Sequence, residues 1–180
     1  MPAPLRGLTA GLLIGLSACT VNRNPVRDAA ADGLPAYTVR DAGLLDDRFS
    51  PELFGAIADS SEPTAERAKL AEGIARGRVV TVTLDSTGET EHFVVDLALV
   101  SPAVKGALPD EKVSLSVGAE SPSFAFLKSV ESGLVGTPVV LLYKRYNQGG
   151  QATLRWYVEA ENQRVVGAIE RARLMGELTH

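Results

Sequence analysis

Cysteine is almost missing from this 180-residue sequence: Cys19 is the only one. No internal disulfide can form, and with His92 and His180 as the only histidines there is no set of zinc-type ligands. Neither a metal site nor a cofactor is therefore expected. A basic excess is missing too: 18 Lys and Arg stand against 22 Asp and Glu, a net charge of -4. That balance offers no general attraction to nucleic acid or anionic lipid. The chain also has no phosphate-cradling glycine loop and no GxSxG turn. What it does have is 45% hydrophobic residues and enough length to bury the core of one domain.

The longest uncharged apolar stretch near the start runs from Leu8 to Ala18, after a lone positive charge at Arg6. It is about half of the roughly 20 residues that a membrane-spanning helix needs. A charged start, a short apolar run and small residues at its end have the layout of an export signal. Leu16, Ser17, Ala18 and Cys19 then follow as aliphatic, small, small, cysteine.

Those four residues resemble the lipobox of bacterial lipoproteins. The resemblance implies cleavage before Cys19, diacylglycerol on its sulfur and a fatty acyl group such as palmitate on its new amino terminus. Several acyl chains hold a protein on a bilayer where one holds it only marginally. The competing reading is an ordinary signal peptide with a chance cysteine. Thr20 stands where an aspartate would signal inner-membrane retention, so the resemblance implies the periplasmic face of the outer membrane. Residues 1–18 would be the signal peptide. Residues 19–36, with Pro25, Gly33 and Pro35, would be a lipidated, flexible tether.

The body begins with a helical segment over 37–76. Ser50 and Pro51 mark one helix start, and PTAERAKLAEGIAR from Pro63 to Arg76 predicts a second helix, with Leu70 and Ile74 buried and Gly77 as its stop. The pattern then switches to alternation. Val80, Val82 and Leu84 share one strand face, as do Phe93, Val95, Leu97 and Leu99, and then Val113, Leu115 and Val117. DSTGETE, residues 85–91, makes the first hairpin loop. SPSFAFLKSVESGL, residues 121–134, reads as a capped helix. PVVLLYKRY, the NQGGQ turn and ATLRWYVE read as a second hairpin. The end, from Arg164 to Leu178, fits either a strand followed by a helix or one continuous helix.

Three antiparallel strands, a helix and a hairpin over residues 77–169 resemble the OB-fold. The expected class is α+β and mainly antiparallel, a small OB-like barrel in a β-rich domain over 77–180. The alternative is an open antiparallel sheet with packed helices.

Chemistry is sparse. Tyr146, Arg155, Trp156 and Tyr157 form the candidate binding surface, because aromatics and arginines together can stack and pair with ligands. Strand alternation, however, splits such a run between two faces, and Asp85, Glu89 and Glu91 would repel phosphates, so no nucleic-acid partner is expected. His92 beside Glu91 could act as a base and Ser114 or Ser116 could lie nearby, yet no nucleophile is paired with it in the sequence. The acidic pairs Asp46 with Asp47 and Glu159 with Glu161 read as solvated charges. No catalytic residue is assigned and the chain is not expected to be an enzyme. The favoured expectation is a lipoprotein anchored to the membrane through Cys19, with a binding or scaffolding role toward an envelope protein. A weakly marked envelope hydrolase or cell-wall enzyme is the alternative.

Overall fold

Pro138–Gln148 contains the run Val139 to Tyr143, in which five successive residues are buried. In a strand such residues point alternately to two faces, so this strand needs cover on both sides. The computed structural model, which describes residues 31–56, 62–88, 90–130 and 133–177, supplies that cover. The leader, the lipobox Leu16 to Cys19 and most of the expected tether lie outside the described residues.

In chain order the elements are α1 (Val39–Ala42), β1 (Arg48–Phe49), a 3-10 turn (Pro51–Phe54), α2 (Glu62–Leu70), β2 (Gly73–Asp85), β3 (His92–Leu99), β4 (Lys112–Gly118), α3 (Pro122–Val130), β5 (Pro138–Gln148), β6 (Gln151–Ala160) and α4 (Gln163–Glu177). One six-stranded sheet runs β1-β6-β5-β2-β3-β4, antiparallel throughout except for the parallel β1 and β6 pair. The class is α+β, and the sheet is open. Its two edges, β1 and β4, do not meet, so the OB-like barrel gives way to the open sheet with packed helices. β2 is an interior strand: its first part, Gly73 to Arg78, pairs with β5 and its later part, Gly77 to Asp85, pairs with β3, so it joins the two halves of the sheet without closing it.

One face of the sheet carries the larger core. Ala75, Val79, Val95, Leu97, Leu115, Leu141, Trp156 and Val158 pack there with Leu127 of α3. Phe49 meets Trp156 edge-on at 5.3 Å. The opposite face holds Ile74, Val140, Leu142 and Tyr157 under Ala68 of α2 and Val165, Ile169 and Ala172 of α4. The carboxy-terminal segment is thus one helix from Gln163 to Glu177, and the strand-then-helix option is closed.

Three expectations are corrected by long-range contacts. The second helix does not run to Arg76 but stops at Leu70. Glu72 is drawn instead to Arg145, and Gly73 begins β2 because the Tyr143 ring occupies the space any side chain there would need. Lys105 secures that stop by donating from Nζ to the carbonyls of Ala68 at 3.0 Å and Ala71 at 2.5 Å, satisfying the free end of α2. The strand phase of Val80 is also wrong. A bulge between Val79 and Thr81 flips the alternation, so Val79 is buried while Val80 is exposed and Val82 and Leu84 return to the core face. Finally, the helix expected from Ser50 is only the 3-10 turn, capped by the Ser50 hydroxyl, and the segment 37–76 supplies β1 and α2 to the same layers as the rest.

The other elements fall where the periodicity places them. Asp85 faces His92 across the first hairpin, Gln148 faces Gln151 across the second, and Ser121 accepts from the Ser123 amide at 3.3 Å as α3 starts. Residues 31–36, expected in the tether, are laid against β5: Ala31 is buried, Ala36 bridges Asn147, and the Asn147 amide donates to the Pro35 carbonyl at 2.8 Å.

Candidate functional site

The residues expected to form a binding surface are largely interior. Tyr146, Trp156 and Tyr157 are 0%, 4% and 3% exposed, and Trp156 and Tyr157 face opposite sides of the sheet. Arg155 pairs with Asp47 and lies 4.7 Å over the Tyr37 ring. The four therefore do not make a common surface. Burial explains each: tyrosine and tryptophan carry large apolar area, and β5 and β6 lie under two layers.

The carboxylates are not simply solvated either. Asp47, in the left-handed region at φ 56, accepts the Trp156 amide at 3.0 Å and Arg155, so it clamps β6. Asp46 sits 3.0 Å from Arg48 Nε. Burial pushes both aspartates above the usual carboxylate range, against the pull of Arg155 on Asp47 and of Arg48 on Asp46. Glu161 pairs with Arg76 at 3.2 Å, at the exposed end of β6.

Glu159 is 1% exposed and is the centre of a buried polar knot between β6 and α2. Its Oε1 accepts from Arg67 Nη1 at 2.9 Å and from Thr64 Oγ1 at 3.0 Å. Arg67 also donates from Nε to the Leu44 carbonyl at 3.0 Å and lies 3.6 Å over the Tyr157 ring. A buried charge that is paired, hydrogen-bonded and stacked is held for position. This knot fixes α2 on the sheet and offers no open path to a substrate.

His92 lies at the start of β3, 3.7 Å from Asp85 across the hairpin. The Ser114 hydroxyl is committed to Asp96 Oδ1 at 2.7 Å, and among the described residues no hydrogen bond joins His92 to Ser114 or Ser116. Among the described residues there is no group of three or more His, Cys, Asp and Glu side chains placed to hold a metal ion.

What the structure does gather is a polar row on the face of β2, β3 and β4 that no helix-side core covers. Thr81 Oγ1 donates to Asp96 Oδ2 at 2.6 Å, and Ser114 donates to its other oxygen. The two hydroxyls, Ser114 first, hold Asp96 below the ordinary aspartate range. Thr81, Thr83, Ser114 and Ser116 are exposed around it. Sequence reading passed over Asp96 because it needs the cross-strand register to find its partners; its one local signal is an acid between Val95 and Leu97 in an otherwise apolar strand. Such a row can accept and donate hydrogen bonds to a polar surface, and it contains no paired nucleophile.

An open, mainly antiparallel sheet with helices on both faces and one polar bay is the class these features define. No family model, curated protein or solved structure matches the chain. Among the described residues no helix is long and apolar enough to cross a membrane.

Proposed function

We propose that this chain is a lipid-anchored lipoprotein of the bacterial cell envelope with a non-catalytic binding or scaffolding role in the periplasm. The lipobox Leu16-Ser17-Ala18-Cys19 carries the reading. Acyl chains on Cys19 attach the protein, and Thr20 at the sorting position favours the periplasmic face of the outer membrane. Residues 20–30 separate Cys19 from the domain, a length that reaches at most about 40 Å when fully extended. The domain then works close to the membrane surface.

The side of the domain suited to an envelope partner is the polar bay around Asp96, which supports binding through hydrogen bonds rather than through an aromatic groove. Fatty-acid labelling tests the anchor: label and membrane association are both expected to vanish in Cys19→Ser, and an unlabelled wild type with an uncut leader would overturn it. Mild crosslinking in intact cells tests the role. Recovery of one envelope protein, lost on replacing Ser114 and Ser116 with arginine, is expected; equal recovery with that variant would move the partner elsewhere.

A further inference from the structure

The two edges of the sheet are finished differently. β1 is two residues long, which blunts its edge. β4 runs seven residues, Lys112–Gly118, in unbroken register with β3, without proline or bulge. Its inner bonds follow from the Leu99 amide donating to the Glu111 carbonyl at 2.8 Å. In an antiparallel ladder bonded pairs then recur at every second residue, so Val113, Leu115 and Val117 bond inward to β3. The amides and carbonyls of Lys112, Ser114 and Ser116 point away from the sheet. Among the described residues no backbone hydrogen bond reaches them.

We propose that β4 pairs with β4 of a second copy of this chain, antiparallel about a twofold axis at Leu115. The sequence KVSLSVG is built for that register. Ser114 stands opposite Ser116 of the second copy and the two exchange outward amide and carbonyl bonds, while Val113 stands opposite Val117 and Leu115 meets its own copy. Directly opposed residues share a face. Leu115 and Val117 are already buried within one copy, so the half-buried Val113 is the side chain on this face that gains cover.

Charge selects this register over its neighbours. Lys112 is placed opposite Gly118 of the second copy, and both belong to the polar face. Glu120 folds back over that glycine: a Cβ on Gly118 would stand 2.5 Å from either Glu120 carboxylate oxygen. A bare glycine thus leaves room for a carboxylate where the incoming lysine arrives. Neither Lys112 nor Glu120 forms a salt bridge within the chain among the described residues. The twofold axis gives two such Lys112 and Glu120 pairs, one at each end of the shared ladder. In a lone copy Lys112 guards the edge with Asp96 as its opposite charge on the same face, and in the pair Glu120 of the second copy joins it. The inference stands on the edge alone and does not require lipid on Cys19.

Sedimentation equilibrium of the full-length protein in density-matched mild detergent tests it. A dimer is expected. Ser116→Pro removes an outward amide and no bond to β3, so it should give a monomer with an unchanged circular dichroism spectrum. Lys112→Glu or Glu120→Lys alone should weaken dimerisation by about tenfold or more, because like charges then face each other at both ends. The double variant Lys112→Glu with Glu120→Lys should restore it. That rescue keeps the proposal testable even where Ser116→Pro misfolds. A wild-type monomer at the highest concentration reached, a dimer indifferent to the charge variants, or single variants that the exchange does not rescue would each overturn it.

Discussion

The half of the sheet around β5 and β6 is covered on both faces, whereas the half made by β3 and β4 is covered on one. The contrast is written in side chains. β5 carries Val139 to Tyr143 without a polar break, while β3 and β4 alternate Val95, Leu97, Leu115 and Val117 inward with Asp96, Ser114 and Ser116 outward. The two-sided half holds its charges in closed sets, such as Glu159 with Arg67 and Thr64. The one-sided half displays its carboxylate in the open. One half is therefore closed on both faces and the other leaves a polar face open, over a core that the two share.

Alkaline pH separates them most sharply. All four tyrosines, Tyr37, Tyr143, Tyr146 and Tyr157, belong to the amino-terminal segment or the two-sided half, and burial foremost raises the pKa of each above its ordinary value of 10.0. In the unfolded chain they ionise near 10. Above that pH the folded chain holds more protons than the unfolded one, so stability is fully present below about pH 10 and falls as pH rises toward the folded values. A spectrophotometric titration should show tyrosinate appearing together with loss of the fold. Tyrosinate formed in a chain that stays folded would refute it.

Arg67→Met is the largest expected single-residue effect. It leaves the Glu159 carboxylate buried without its counter-charge, at a cost of about 3–5 kcal/mol in urea unfolding. Adding Glu159→Leu should recover much of that loss, since an apolar pair needs no compensation. Leu142→Ala, in the same half, should cost about 2–5 kcal/mol through lost contact and a residual cavity. The one-sided half should answer more mildly. Asp96→Ala removes two hydrogen bonds on a solvent-facing row and should cost about 1 kcal/mol, a difference read as a shift in urea midpoint at constant slope. A cost as large as that of Arg67→Met would mean that the bay is structural and not reserved for a partner.

Much of the fold was legible where local pattern and tertiary demand agree. The strands from Phe93 to Leu99 and from Val113 to Val117, both hairpins and α3 follow from periodicity two, turn residues and caps. Failures came where a distant group decides. Residues 73–76, expected in the helix, are taken into β2 by Tyr143, Arg145 and β5, and one bulge at Val80 reverses a strand phase that alternation alone cannot locate. The site was less legible than the fold. A row such as Thr81, Asp96 and Ser114 comes from three strands and exists only once the register is set. Conversely, Tyr146, Arg155, Trp156 and Tyr157 look like a surface in one dimension because apolar area and polar tips are indistinguishable there.

The grip of Lys105 on the last carbonyls of α2 has an implication for how this chain chooses its shape. Local preference would let residues 62–76 wind onward as one spiral, for Gly73 alone is a weak stop and the groups that end the helix, Lys105, Tyr143 and Arg145, all lie far along the chain. The opening of the longest strand is thus a decision deferred until a loop more than thirty positions later has arrived. A synthetic fragment ending before it should favour the wrong winding, and the intact chain corrects itself only by closing that distance.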